Sequence, residues 1–306
     1  MSEAVADWIE EEHGRGNVVA LQDYEIRGFP FFLRAEIEAP RYEVPGAFSW
    51  SGERLMIDTL PYNPTSLTFS PIGVQKIAFA SHGGEQEWQV EMETLRLRLA
   101  EEKIALQAVN LKAVDASGQR KFTLGDVAMN AEMRPEEKQG PDTAFMVASL
   151  QDVMIGDGER STDIRRFDLA GAMRNYSAYE QSGSLVLWSG MDGELVIDGV
   201  QLILAGADES GISGQGAPMI AMHGRLGVDG NAYPQGQINL SLRAPEELLA
   251  ELVQWQVLSA EDAGEATKIL SPMAKAAGGT FSAPITLQDG QAKIFGTVIA
   301  ELAPVE

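Results

Sequence analysis

Apolar and polar residues alternate one by one along most of this chain, and such alternation is typical of β-strands. The clearest example is the segment 95–99, where Arg96 and Arg98 separate three leucines. Successive side chains of a strand point to opposite faces, so the leucines share one face and the arginines the other. The next strand is apolar at Ile104, Leu106 and Ala108, and then at Val109, Leu111 and Ala113. This one-residue change of phase predicts a β-bulge and therefore a curved hairpin.

Short segments that favour tight turns separate the predicted strands. Three of them are Asp-Ala-Ser-Gly at 115–118, Asp-Gly-Asn at 229–231 and Asp-Gly at 289–290. These residue types tolerate the positive φ angles that hairpin turns need. Further clean alternation occurs at Val200, Leu202 and Leu204, and at Ile238, Leu240 and Leu242. We therefore expect about ten or more strands, joined as antiparallel hairpins.

Helical patterns appear at two places. An acidic helix is predicted over residues 2–13, and the glycines at 14 and 16 are expected to end it. Near the C-terminus, Pro245 is suited to a first helical position, and Ser259 with Asp262 is suited to begin a second helix. The expected apolar stripe of that second helix is Ala266, Ile269, Leu270, Met273 and Ala277. Residues 182–188 fit a short helix and a strand equally well.

These patterns predict a mainly β fold of the α+β class. It would consist of elongated, curved antiparallel sheet or sheets of hairpins, with an N-terminal helix and a two-helix insertion near the C-terminus. Residues 1–15 would form the N-terminal helix, and residues 16–306 one elongated β-rich domain. The polar stretch 175–183 is where this domain would divide, if it has two halves.

Composition excludes several kinds of partner and chemistry. The chain has 45 acidic and 23 basic residues and a net charge of −22, so nucleic acid is not an expected partner. It has no cysteine, which excludes disulfides, thiolate metal sites and a cysteine nucleophile. No apolar run reaches the ~18 residues of a membrane span. We expect a soluble chain, and an exported natural protein would carry a targeting segment that this sequence lacks.

Motifs for catalysis or cofactor binding are weak. The histidines at 13, 82 and 223 have no metal-ligand spacing, and Ser213 lies in a glycine-rich segment without the strand and helix of a nucleophile elbow. The same segment lacks the Lys-Ser/Thr of a phosphate-binding loop. We therefore predict that the protein is not an enzyme and uses no cofactor or metal.

Three stretches together resemble a known bacterial family, the domain of unknown function 2125. They are Gly28-Phe29-Pro30-Phe31 with the strand after it, Leu60-Pro61-Tyr62-Asn63-Pro64, and the C-terminal region with the 229–231 turn, the two helices and the segment 285–290. The resemblance covers residues 17–306. It implies an envelope protein that faces the periplasm and is distantly similar to AsmA-type proteins, which are linked to lipid handling. Members usually carry an N-terminal membrane anchor, so the natural protein is expected to be membrane-anchored, with the anchor absent from this chain.

Three functional hypotheses follow from these observations. The first is a non-catalytic envelope protein that binds lipid or another hydrophobic ligand on a curved sheet. Flexible methionines suit an adaptable apolar lining, and the candidates are Met129, Met133, Met146, Met154, Met173, Met219 and Met222. The alternative is a structural module that docks another envelope protein through edge strands or through the helices at 245–278. The third, an enzyme that acts on a glycan with two of the many acids, is the least favoured.

Overall fold

The computed structural model describes residues 9–28, 31–81, 84–135, 142–157, 160–205, 217–255 and 258–305. It is mainly β, with 64% strand and 17% helix, and the strands pair antiparallel. A helix precedes the first strand, and two helices lie before the last hairpins. The predicted fold class is confirmed in these features.

The strands are β1 (Val18–Arg27), β2 (Leu33–Val44), β3 (Phe48–Leu60), β4 (Asn63–Ser81), β5 (Gly84–Glu91), β6 (Thr94–Ala100), β7 (Lys103–Asp115), β8 (Arg120–Arg134), β9 (Thr143–Asp157), β10 (Arg160–Arg174), β11 (Glu194–Leu204), β12 (Met219–Val228), β13 (Pro234–Arg243), β14 (Thr280–Gln288), β15 (Gln291–Ile294) and β16 (Thr297–Glu301). The helices are α1 (9–14 in the described part), α2 (Tyr176–Ser182), α3 (Leu185–Gly190), α4 (Pro245–Gln254) and α5 (Ala260–Ala276).

Contacts between Cα atoms divide the chain into two compact units. Unit 1 consists of Met1–Met129 and Asp152–Thr162, and unit 2 consists of Asn130–Gln151 and Asp163–Glu306. The division therefore falls within the strands β8, β9 and β10. The stretch 175–183, where the sequence suggested a seam, lies inside unit 2 and contains α2.

Unit 1 confirms the alternation that was read from residues 95–99. Arg96 and Arg98 are exposed, while the three leucines between and beside them are half-buried. Leu97 pairs with Leu106 across the β6–β7 hairpin. The change of phase in β7 is present as well: Ala108 and Ala113 are both buried although their positions differ by an odd number. Asn110, which lies between them, has a φ of 50° at the point where β7 changes its partner from β6 to β5, and this left-handed residue accounts for the change of phase.

The turn between β7 and β8 is held together by the carboxylate of Asp115. Arg120 donates from Nε to Oδ2 at 2.8 Å and from its backbone N–H to Oδ1 at 3.1 Å, and the Ser117 hydroxyl donates to the same carboxylate at 2.9 Å. The side-chain hydrogen bond from Arg120 is the main reason why the pKa of Asp115 falls from its usual 3.8 to about 2. The predicted turn is thus an ion-paired cap on the hairpin.

This lowered pKa predicts a pH-dependent difference between the wild type and Asp115→Asn. A carboxylate with a depressed pKa in the folded state stabilises the fold above its unfolded pKa, and the contribution is lost as the pH falls towards about 2. We therefore expect Asp115→Asn to be less stable than wild type at neutral pH, with the gap closing in acid. Urea unfolding between about pH 6 and about pH 2 measures this. Asp126→Asn, at an exposed position of β8, is the matched control and should show no such convergence. A gap that stays constant with pH would contradict the prediction.

In unit 2 the observed helices agree only in part with those that the sequence predicts. Ser259 begins α5 by accepting a hydrogen bond from the backbone N–H of Asp262 at 3.1 Å, and Pro245 opens α4, both as predicted. The segment around 182–188 is helical, since α2 and α3 occupy it, and the buried Trp188 donates to the carbonyl oxygen of Arg174 at 2.8 Å.

The expected apolar stripe of α5 is confirmed at Leu270, which packs against the core cluster, and is wrong at Ile269, Met273 and Ala277. Ile269 and Met273 are exposed, and the residues of α5 that are buried are Ala263, Ser271 and Ala274. Ala274 belongs to the core cluster together with Phe281 of the next strand. The small side chain of Ala274 lets the helix backbone come close to β14, so α5 faces the sheet with Ala274 and Leu270 and leaves Ile269 and Met273 outside.

Candidate ligand-binding face

The strand register of unit 2 places apolar residues in continuous rows on one face. Each row crosses from β10 towards β14 or β15 through directly paired residues. Row 1 is Phe167, Leu202, Ile220, Leu242 and Phe281. Row 2 is Leu169, Val200, Met222, Leu240 and Ala283. Row 3 is Gly171, Ile197, Gly224, Ile238, Ile285 and Ile294. Row 4 is Met173, Leu195, Leu226, Gly236, Leu287 and Ala292. We call these four rows the apolar face.

The opposite face of the same strands is mostly polar, with apolar residues such as Val196 and Ile203 among the polar ones. One of its rows is Asp168, Gln201, Ala221, Ser241 and Ser282, and the hydroxyls of the last two lie 2.9 Å apart. Ser149 and Arg166 both donate to the Asp168 carboxylate, at 2.8 and 2.6 Å. An open cleft of ≈ 500 Å³ is lined by these groups and His223, and also by Leu169, Val200 and Met222 of row 2. The two faces of this part of unit 2 therefore differ sharply in polarity.

The helices α4 and α5 cover one end of the apolar face. Leu248 of α4 is 1% exposed and lies in a cluster with Leu204, Leu242 and Phe281. Leu202, Ile220 and Leu240 pack against the same cluster and are partly buried. Row 1 and the adjoining part of row 2 thus form the core of unit 2.

Rows 3 and 4 are less covered. Their apolar residues are half-buried or exposed apart from Ala292, and Leu195 is 41% exposed. In row 2, Leu169, Val200 and Met222 are also half-buried. Because these residues adjoin one another across neighbouring strands, they form a contiguous apolar surface that water can reach. Such surfaces on folded proteins commonly mark binding sites.

The structure separates the seven candidate methionines. Met173 lies in row 4 and Met222 in row 2, so these two share the apolar face. Met219 lies on the polar face, where its sulfur accepts a hydrogen bond from Gln201 at 3.0 Å. Met146 is an odd number of residues from Ser149, whose hydroxyl is on the polar side, so alternation puts Met146 on the apolar side.

The remaining three candidates lie elsewhere. Met129 and Met154 belong to unit 1, and Met133 lies at the exposed end of β8 in unit 2. The main residues of the apolar face are instead leucine, isoleucine and valine. Their signal was present in the alternation at 200–204 and 238–242, which continues directly across the paired strands.

The described residues contain no group of three or more acidic or histidine side chains placed to hold a metal ion. His13 has its Nε2 atom 3.3 Å from the Val19 carbonyl oxygen, and His223 is exposed on β12. His82 and Ser213 lie outside the described residues. Within the described part of the chain, every helix is too short or too polar to cross a bilayer.

These features define a class of protein: a mainly β, antiparallel fold in which an apolar sheet face is covered at one end by two helices. The model of one bacterial family, described as "Uncharacterized protein conserved in bacteria (DUF2125)", matches residues 1–302, and the chain belongs to this family. The family resemblance carried by the 28–31, 60–64 and C-terminal segments is thereby confirmed. No curated protein and no solved structure matched the chain. The distant similarity to AsmA-type proteins stays a prediction.

Proposed function

We propose that this protein is a non-catalytic binder of lipid or another hydrophobic ligand in the periplasm of the bacterial envelope. The ligand would lie on the apolar face of unit 2, over the half-buried parts of rows 2 to 4. The observation that carries the proposal is that directly paired residues of up to six strands are apolar on this face, while the other face is mostly polar. A continuous apolar surface of this kind suits a long, flexible hydrocarbon chain better than a compact polar metabolite.

The open geometry sets the expected affinity. Strands lie about 4.8 Å apart, so five or six strands span roughly 20–24 Å, which accommodates a long acyl chain. Complete burial of a methylene contributes about 0.8 kcal/mol, and a chain on an open surface buries about half of itself. About 16 methylenes would then contribute roughly 6 kcal/mol, equivalent to a Kd of tens of micromolar before ordering costs. Binding should therefore be moderate and exchangeable, as suits a carrier.

Two methionines of one strand provide a matched test. Met222→Glu introduces a carboxylate into row 2, whereas Met219→Glu introduces the same group on the polar face, and both positions are half-buried. We expect Met222→Glu to weaken the binding of a fluorescent long-chain fatty acid by about tenfold or more, because a charge in an apolar contact is costly. Met219→Glu should change the affinity by less than about twofold.

The measurement is a fluorescence titration, with circular dichroism to verify that both variants fold. Native mass spectrometry of gently purified wild type should also show co-purifying lipid. Equal affinities in the two variants would place the ligand elsewhere. A wild-type protein that neither carries lipid nor takes up the fatty acid would refute the proposal.

One observation favours a second candidate function, a structural module that docks another envelope protein. All five residues of β16 are exposed, and among the described strands β16 pairs only with β15. An edge of this kind, with Val298 and Ile299 exposed, can accept a strand from a partner. The exposed Ile269 and Met273 of α5 offer a second contact surface. Absence of fatty acid uptake, together with a defined partner in cross-linking from Ile299 in cells, would favour this function.

A further inference from the structure

A row of polar side chains crosses four strands of unit 1. Arg34 of β2 pairs with Asp58 of β3, Asp58 pairs with Thr68 of β4, and Thr68 pairs with Arg98 of β6. Because paired residues of an antiparallel sheet share a face, the two arginines lie on the same side of the sheet with a carboxylate and a hydroxyl between them. The sequence positions are far apart, so only the strand register brings them together.

The two arginines of this row have different electrostatic roles. Arg34 is fully engaged by Asp58, since Nε and Nη2 donate to the two carboxylate oxygens at 2.7 and 2.9 Å. This hydrogen bonding raises the pKa of Arg34 above its usual value. Arg98 donates from Nε to the Ser66 hydroxyl at 3.1 Å, and no carboxylate of a described residue is within ion-pair distance of it. The row therefore keeps one uncompensated positive charge in a protein whose net charge is −22.

An open cleft of ≈ 410 Å³ lies over this row. Its polar lining is Arg98, Thr68, Ser66 and Thr59 together with the Arg34–Asp58 pair, and its apolar lining is supplied by Phe32 and Leu60. Phe32 is 42% exposed, and the Arg34 guanidinium lies 5.7 Å from the centre of its ring. The floor is fixed by sheet hydrogen bonding and by the buried Thr59, whose hydroxyl donates to the Ser66 carbonyl oxygen at 2.9 Å. A charged group on such a rigid base is prepared to bind with little ordering cost.

We propose that this cleft binds the oxyanion, a phosphate or a carboxylate, of an amphiphilic molecule. The guanidinium of Arg98 holds the oxyanion, with the Thr68 and Ser66 hydroxyls as neighbouring donors, and the apolar part of the ligand contacts Phe32 and Leu60. Arg98 retains its two Nη groups for this task, and arginine is well suited to phosphate and carboxylate because it donates in parallel pairs. Arg34 stays bound to Asp58, so it leaves the oxyanion to Arg98. The site shares no residue with the apolar face of unit 2, and it goes beyond the function proposed for that face.

Three small probes separate the contributions to binding. Octyl phosphate, below its micelle concentration, carries both the oxyanion and an apolar chain. Octanol carries only the chain, and inorganic phosphate carries only the oxyanion. In calorimetric titrations of the full chain we expect octyl phosphate to bind at least about tenfold more tightly than either of the others. Added salt should weaken the binding of octyl phosphate, because the pair of charges is partly exposed.

The matched variants are at Arg98 and Arg96, which lie two residues apart on the same face of β6. Arg98→Gln should weaken the binding of octyl phosphate by about tenfold, as expected for loss of a charged hydrogen bond, whereas Arg96→Gln should change it by less than about twofold. Arg98→Lys should restore part of the loss. Urea unfolding verifies that each variant is folded.

Three outcomes would overturn the proposal. Equal losses in Arg98→Gln and Arg96→Gln would mean that only general charge matters. Inorganic phosphate that binds as tightly as octyl phosphate would mean that the site takes a free anion rather than an amphiphile. If octanol binds as tightly as octyl phosphate, the octyl group alone accounts for the binding, and Arg98 does not contribute to it. None of these results bears on the Met222 test, because that test uses a different unit of the chain.

Discussion

Replacing Leu248 with alanine is expected to lower the free energy of unfolding of unit 2 by about 2–5 kcal/mol. Leu248 of α4 is 1% exposed and contacts the cluster that also contains Leu204, Leu242 and Phe281. Truncation removes buried methyl groups and leaves a cavity under the helix, which the rigid strands of the sheet cannot close. Urea unfolding measures the effect as a lower midpoint with an unchanged m-value.

Ile269→Ala provides the control for this prediction. Ile269 lies on the neighbouring helix α5 and is 62% exposed, so its truncation should change the stability by less than about 0.5 kcal/mol. The sequence alone predicts that Ile269 is buried too, because Ile269 belongs to the expected apolar stripe of α5. If Ile269→Ala is as destabilising as Leu248→Ala, the orientation of α5 on the sheet is different from the one described.

The strands could be predicted because their signal is local. Alternation over five residues is enough to assign Leu97 and Arg96 to opposite faces, and the change of phase after Ala108 predicts an irregularity that the structure has at Asn110. Turn chemistry is also local, since the Asp115 carboxylate binds groups only two to five residues away. The sequence pattern therefore predicts these strands and turns close to where the fold has them.

Pairing between distant strands could not be predicted in the same way. β4 is 19 residues long, and its first part pairs with β6 while its last part pairs with β5. Nothing in the alternation of β4 specifies two neighbours. The polar row of unit 1 that contains Arg34 and Arg98 depends on this pairing, because the pairing of β4 with β6 places Arg98 beside Thr68. The cleft of unit 1 could therefore not be predicted from the sequence.

The candidate ligand-binding methionines differ in the face of the sheet on which they lie. Residue type alone groups Met219 with Met222, although the two are three positions apart and must face opposite sides of a regular strand. Met222 lies two positions after Ile220 and therefore shares its apolar face, whereas Met219 lies next to Ile220 and faces the other side. In a β protein, the position of a residue within the alternation decides its environment more than its type does.

A glycine of the β12–β13 hairpin is the site of the second large effect. Gly236 has a φ of 139°, a conformation that other residues rarely adopt, and an added Cβ would overlap the carbonyl oxygen of Arg225 on the paired strand. We expect Gly236→Ala to be destabilising by about 1–3 kcal/mol from backbone strain alone, with the overlap adding to this. Gly236 lies in row 4 between Leu226 and Leu287, so the apolar face would be disturbed as well.

Gly230→Ala is the matched variant in the same hairpin. No heavy atom of the fold lies within 4 Å of the position that its Cβ would take, and its φ is not in the left-handed range. Its substitution should therefore be neutral or stabilising by up to about 1 kcal/mol, because alanine reduces the entropy of the unfolded chain. The difference between the two variants in urea unfolding measures how closely β12 and β13 approach. If Gly236→Ala is as stable as Gly230→Ala, the two backbones have room for a side chain, and the register that builds the apolar face must be revised.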